Sequence, residues 1–292
     1  MSGTYAAEIN RTNPACFVFL IDQSNSMADP YGADTALKKS QGVADVLNRC
    51  LQNLVTRCSR DEGVRDYAHM AIVGYTTDAS GKNPVLRNLL PPALAGKDFA
   101  TVSEIASNML RLEDRTKQEY DGAGSYNTVG VKFPVWVEPF PMKIGDSGGT
   151  PICAAFREAE RLLSLWTADN AENFPPIVLH ITDGESTDGD PTSLAEALMR
   201  LATKDGDCLI FNCHLSSMEG HSVFFPDSEG TLPPDPFAPT LFKSSSIMPE
   251  KLRQEAQQFG VSATETTRCF VYNADIVRLI QFLDMGTKGA IR

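Results

Sequence analysis

The sequence predicts an α/β protein, a three-layer α/β/α sandwich of Rossmann-like kind with a central, mostly parallel sheet and one antiparallel edge strand. Three observations carry this. Unbroken apolar runs at Phe17-Val18-Phe19-Leu20-Ile21, at 68–75 (AHMAIVGY) and at 177–182 (IVLHIT) lack the alternation of a half-exposed strand, so they read as strands covered on both faces. Segments with apolar residues at steps of three and four lie between those runs and read as the covering helices. Strand and helix patterns then alternate along the 292 residues with no internal repeat, which favours one domain with its core over about 15–285.

Taken in order, the first strand is followed by a helix over 35–58 with the stripe Val43, Val46, Leu47, Leu51, Leu54 and Val55. The strand at 68–75 completes a strand–helix–strand unit. The alternation breaks over 76–149, which reads as an insertion. Inside it Thr101 and Glu104 form a capping box that opens a helix with Val102, Ile105, Ala106, Met109 and Leu110 on its stripe. Residues 119–127 are polar and Gly-rich and read as a loop, whereas 131–137 alternate like a strand whose Pro134 suits an edge.

Thr150-Pro151 is a helix start, a hydroxyl N-cap followed by proline, and sends Ile152, Ala155, Phe156, Ala159, Leu162 and Leu163 inward. After the strand at 177–182, Asp190-Pro191 opens a helix carrying Leu194, Leu198 and Leu201, and 208–215 is the next strand. Residues 220–246, rich in Pro, Asp and Ser, read as a second insertion and a surface excursion. A short helix at 249–258 closed by Gly260, a strand at 268–272 and a helix at 274–283 with Ile276, Leu279, Ile280 and Leu283 on one face complete the chain.

Composition narrows the function classes. A hydrophobic content of 42% with 22% charged residues is that of a folded globular chain. A net charge of −11 disfavours nonspecific binding to nucleic acid or to an anionic membrane and is compatible with a cation site. The first residues carry no basic n-region, and the apolar run after them is short and ends in Asp22, so neither a signal peptide nor a membrane span is expected and the expected compartment is the cytoplasm. Seven cysteines without CxxC spacing read as small buried thiols.

The chemistry concentrates at strand ends. The first strand runs into Asp22-Gln23-Ser24-Asn25-Ser26, where an acid and two hydroxyls offer hard oxygen ligands to a divalent cation. Gly148-Gly149-Thr150 adds a third hydroxyl after two glycines that permit close backbone approach, and Asp183 adds a second acid at the end of the 177–182 strand. Each has a plainer reading: Ser24 and Ser26 as caps of a following helix, Thr150 as an N-cap, Asp183-Gly184 as a turn.

In this order the five residues resemble a von Willebrand factor A (vWA) domain with a metal-ion-dependent adhesion site. That family's pattern is Asp-x-Ser-x-Ser, then Thr, then Asp, and Asp22, Ser24, Ser26, Thr150 and Asp183 fill it, with the likeness running over about 15–283. The resemblance implies Mg²⁺ or Mn²⁺, with Ca²⁺ ranked behind them, and an open coordination position for a Glu or Asp of a partner protein. It implies recognition rather than catalysis. Within the family the chain is similar to the short bacterial proteins of the tellurite-resistance TerY kind, which implies a signalling or stress-response setting with a serine/threonine kinase, a PP2C-type phosphatase or an AAA+ ATPase as partner. The last helix, as in integrin-like relatives, is then either a shifting element coupled to the metal or a fixed structural one.

Other signals carry less. Gly145-Asp146-Ser147-Gly148-Gly149 copies the nucleophile region of trypsin-like proteases, but the parallel α/β pattern does not supply their antiparallel barrels or flank His69 correctly. The acidic run 183–190 fails as an EF-hand because its sixth position is Asp188 rather than Gly. A haloacid dehalogenase-type phosphatase would need an acid at position 24, which is Ser, and His180, His214 and His221 receive no catalytic role. The alternatives that stay open are a hydrolase using the same metal to activate water, and a scaffold whose site is never loaded.

Overall fold

The computed structural model describes residues 3–31, 34–120, 125–139, 148–215 and 222–288. Its strands are β1 (Ala15–Asp22), β2 (Ala68–Thr77), β3 (Pro84–Asn88), β4 (Arg111–Tyr120), β5 (Tyr126–Val135), β6 (Ile177–Thr182), β7 (Leu209–Leu215), β8 (Val223–Phe224) and β9 (Phe270–Ala274), with the short strand Asp34–Lys38 and a few two-residue strands besides. The helices are α1 (Lys39–Cys58), α2 (Val102–Ser107), α3 (Ile152–Asp169), α4 (Thr192–Met199), α5 (Ala238–Lys243), α6 (Glu250–Ala256) and α7 (Ile276–Lys288).

The main sheet has the order β8-β9-β7-β6-β1-β2-β3. Its five central strands, β9, β7, β6, β1 and β2, are parallel. An antiparallel strand lies at each edge rather than at one, β3 against β2 and β8 against β9.

Strand β1 makes the three layers explicit. Phe17, Phe19 and Ile21 enter a core with Val43, Leu47 and Leu51 of α1 and Leu279 and Phe282 of α7. Cys16, Val18 and Leu20 enter the opposite core with Ala155, Phe156 and Leu163 of α3, Leu198 of α4 and Leu241 of α5. Covering such side chains on both faces contributes about 1.5–3 kcal/mol each, which is why the strand reads as an unbroken apolar run.

Several expectations shift. The first helix begins at Lys39 rather than 35, because Asp34–Lys38 forms a short strand paired with Pro30–Tyr31. The last strand begins at Phe270 rather than 268, and its helix runs on to Lys288. The capping box of Thr101 and Glu104 is present at α2, with both hydrogen bonds made.

The polar stretch 119–127 is not simply a loop: Glu119, Tyr120, Tyr126 and Asn127 belong to β4 and β5, which pair with each other in a hairpin outside the main sheet. Residues 121–124 at its tip lie outside the described residues. The 220–246 excursion is only partly superficial. Ala238, Leu241 and Phe242 of α5 are buried, and Ser244 and Ser245 are fully so. Ser246 Oγ accepts from Ile210 N at 2.8 Å and Ser245 Oγ from Asn212 Nδ2 at 2.9 Å, which is what makes those two serines tolerable there, whereas Ser244 Oγ is buried without a partner among the described residues.

All seven cysteines are free and buried. Among the described residues no helix is long and apolar enough to cross a membrane.

Candidate metal and ligand-binding site

Parallel packing of β2, β1 and β6 brings their carboxyl ends together, and all five residues singled out in the sequence lie at that edge. Asp22 ends β1 and is almost fully buried. Its Oδ1 accepts from Ser24 N at 2.7 Å and its Oδ2 from Thr182 Oγ1 at 2.6 Å, so the carboxylate both folds its own loop and ties it to the end of β6.

The capping readings do not hold. Ser24 stands at the N-cap of a single 3₁₀ turn, Asn25–Ala28, yet its side chain makes no capping bond. Its hydroxyl instead lies 3.1 Å from Ser26 Oγ, which donates to Asp183 Oδ1 at 2.7 Å. Nor does the Thr150 hydroxyl cap α3, whose cap position is Pro151. The Asp188 carboxylate does that work from the third loop, accepting from Cys153 N at 2.9 Å and Ala154 N at 2.8 Å. Thr150 Oγ1 faces the Asp183-Gly184 turn, 3.1 Å from where a Cβ on Gly184 would stand.

The loops are clipped to one another by backbone. Asn25 N donates to Gly148 O at 3.3 Å, and Thr187 N to Thr150 O at 2.9 Å. Gly149 N donates to Thr77 Oγ1 at 2.7 Å. A Cβ on Gly148 would come within 2.2 Å of Thr77 Oγ1, and one on Gly149 within 2.6 Å of Thr187 Oγ1, so both positions need glycine for close approach. The rest of the protease-like run, 145–147, lies outside the described residues.

One residue at the site escaped the sequence reading. Lys39, the first residue of α1, places Nζ 2.7 Å from Asp183 Oδ2, with the two side chains 5% and 0% exposed. The ammonium also reaches Ser26 O at 3.5 Å. With the helix expected from 35, Lys39 fell outside its first turn, and the sequence carried no signal for the pair.

Burial, reinforced by the Asp183 charge, pushes the Asp22 carboxyl up to about 7 from 3.8, against the downward pull of its hydrogen bonds to Thr182 and Ser24. Beneath the site runs a buried polar chain. Tyr75 Oη lies 2.6 Å from His180 Nε2, and His180 Nδ1 lies 2.6 Å from Asn212 Oδ1. The Asn212 amide nitrogen donates to Ser245 Oγ and Leu241 O, so its oxygen accepts and the ring proton sits on Nδ1. Burial holds His180 down to about 4, hence neutral. His214, paired opposite Thr182 in the sheet, is also held down to about 4 by burial and stacks on Tyr272 with ring centroids 4.7 Å apart. His69 accepts from Trp166 Nε1 at 3.0 Å on the strand side of α3, and His221 lies outside the described residues.

Among the described residues no three His, Cys, Asp or Glu side chains converge as a metal-ligand group. The donors that do converge, three hydroxyls and two carboxylates, are hard oxygens of the kind that suit Mg²⁺ or Mn²⁺. Two clefts are lined by residues next to them in the chain, Gly184 in one and Gln23 in the other. One, of about 330 Å³, is lined by Gly184, Ser186, Asp190, Phe237 and Leu241. The other, of about 450 Å³, is lined by Gln23, Leu89, Pro91, Trp136 and Glu138.

No protein-family model and no curated protein matches the chain. Solved structures do resemble it. Pilus adhesin SpaC from Lactobacillus rhamnosus GG aligns with a TM-score of 0.51 at 10% identity, over 99% of this chain and 31% of that one. Proximal thread matrix protein 1 from the mussel byssus gives 0.49 at 14%, over 98% and 50%. The vWF domain of the type V pili tip protein Mfa5 from Porphyromonas gingivalis gives 0.30 at 16%, over 60% and 39%. The chain thus spans half or less of the length of these proteins, and at such identities the likeness to SpaC speaks for the three-layer fold alone.

Proposed function

We propose that the chain is a metal-dependent protein-binding module of the vWA kind. Ser24, Ser26 and Thr150 would hold a divalent cation by their hydroxyls, with Asp22 and Asp183 supplying the negative charge. Bound there, the cation would supply an electrophilic coordination position to a carboxylate from a partner's Glu or Asp. The observation that carries this reading is the convergence of three loops, far apart in sequence, on one hydrogen-bonded set running Asp22–Ser24–Ser26–Asp183 with Thr150 alongside.

The residues' other duties support it. Neither Ser24 nor Thr150 is taken up as a helix cap, so their hydroxyls are placed by the loops for something else. The two clefts support a role for the insertions: Phe237 of the second walls one, and Trp136 and Glu138 of the first wall the other. On this reading they select the partner around the shared acid. A serine/threonine kinase, a PP2C-type phosphatase or an AAA+ ATPase, the partners of the TerY kind, are the first proteins to try.

The test is a pull-down of those candidates in MgCl₂ and in EDTA, beside phosphatase and esterase assays, for the wild type and for Asp22→Ala and Thr150→Ala. Cation-dependent capture lost in both variants is the expected result. Cation-dependent turnover lost in both would replace the binding module by a hydrolase.

A further inference from the structure

Lys39 has no place in the oxygen donor set, yet it sits against it. Its amine and the Asp183 carboxylate form a close pair sealed from solvent, 2.7 Å apart with side-chain exposures of 5% and 0%. Asp183 is thereby fully engaged, Oδ1 by the Ser26 hydroxyl and Oδ2 by the ammonium. The ammonium is anchored by a fixed backbone, since Lys39 opens the long helix α1 and its own N–H donates to Asp29 O at 3.0 Å.

We infer that Lys39 sets the affinity of the cation site by acting as a tethered cation that competes with the divalent ion for Asp183 Oδ2. The inference rests on the cation reading above. Asp183 faces the site with its Oδ2 already held by the ammonium, which offsets its charge, so a divalent ion meets a weaker field and a like charge within a few ångströms. Entry of the ion breaks the Lys39–Asp183 pair and releases the amine. The cation-free protein is the beneficiary, because without Lys39 a buried Asp183 would stand uncompensated. A module built this way stays closed at low cation and is sensitive to the extra binding free energy that a partner's carboxylate brings.

The experiment is calorimetric titration of MgCl₂ and MnCl₂ into the wild type, Lys39→Met and Lys39→Arg. Removing the charge should tighten both ions by about tenfold or more, while Lys39→Arg keeps the weaker affinity. Equal or weaker affinity in a folded Lys39→Met overturns the role of Lys39 and leaves the site standing. Absence of binding in every variant overturns the site and the role together. Should Lys39→Met fail to fold, amine labelling of the wild type followed by fragment mass spectrometry decides the matter. Labelling at Lys39 that rises with MnCl₂ is the expected result, and labelling unchanged by saturating MnCl₂ overturns the competition.

Discussion

At the scale of single residues, Asp22 is the most tightly specified group in the molecule. Its carboxyl is pushed up to about 7 from 3.8, first by burial and then by the Asp183 charge. Folded Asp22 therefore keeps a proton that the unfolded chain has released. Its contribution to cation-free stability is complete below about 4 and is lost as pH rises through about 7. Thermal melts in EDTA from about pH 5 to 8 should show the wild-type midpoint falling relative to that of Asp22→Asn as pH rises. Parallel curves would contradict this. The difference between the two proteins is the useful quantity, because His180 and His214, held down to about 4 from 6.5 by burial, act the other way and lose stability as pH falls across that range.

Asn48 on α1 is a second residue with an outsized role. Its Oδ1 accepts from Trp136 N and Val137 N at 2.8 and 3.0 Å, and its Nδ2 donates to Val137 O at 2.8 Å. It pins the segment leaving the hairpin to the core. Asn48→Ala orphans three buried backbone groups and should cost about 2–4 kcal/mol in urea unfolding, with a loss below about 1 kcal/mol arguing that the segment can re-pair elsewhere.

At the scale of elements, the β4–β5 hairpin stands apart. Its strands pair over ten residues each, yet most of their side chains are exposed. Away from its base Arg115 bonds Asp45 of α1 at 2.8 Å, its guanidinium lying over the ring of Phe133 within the hairpin at 3.9 Å. Replacing residues 115–131 by a two-residue turn should leave the thermal midpoint within about 3 °C, since exposed ion pairs contribute little, and should leave cation binding intact while abolishing capture of the partner. Retained capture would assign specificity to the other insertion.

The elements also mark what was legible. The buried strands and the helical stripes of α1 and α3 were, because burial on both faces or on one stripe leaves a local signature in composition. The hairpin strand Arg111–Tyr120 was not, because it is solvated on both faces and RLEDRTKQEY has no apolar period to read. The burial of Ser245 and Ser246 was missed for a related reason: partners on β7 make it tolerable, and those lie some thirty residues away. Thr150 as an N-cap was a sound local inference overridden by Asp188 from a distant loop. Of the candidate site, the five oxygen-bearing residues were legible as a spaced pattern, whereas Lys39 was not, because the helix was expected to start earlier and a buried ion pair has no sequence spacing.

At the scale of the whole molecule, two cores clamp a five-strand parallel sheet, and the five oxygen-bearing residues gather at its carboxyl edge. The net charge of −11 raises the local concentration of cations around that edge and keeps nonspecific polyanions away. A cation bound to the folded state alone stabilises it by mass action. At roughly 100 times its Kd the gain is about 2.7 kcal/mol, which for a chain of this size is a rise of roughly 4–5 °C in Tm. Scanning calorimetry in MnCl₂ against EDTA reads this directly, and an unchanged midpoint would speak for a scaffold that never loads its site.

The most direct test is crystallographic. Crystals grown or soaked in saturating MnCl₂ and measured at the manganese edge should give one anomalous peak among Asp22, Ser24, Ser26, Thr150 and Asp183, with the Lys39 amine withdrawn from Asp183. The same data from Thr150→Ala should show the peak weakened or gone. A peak elsewhere, or none while Lys39 still holds Asp183, would contradict the assignment of these five residues to a divalent cation.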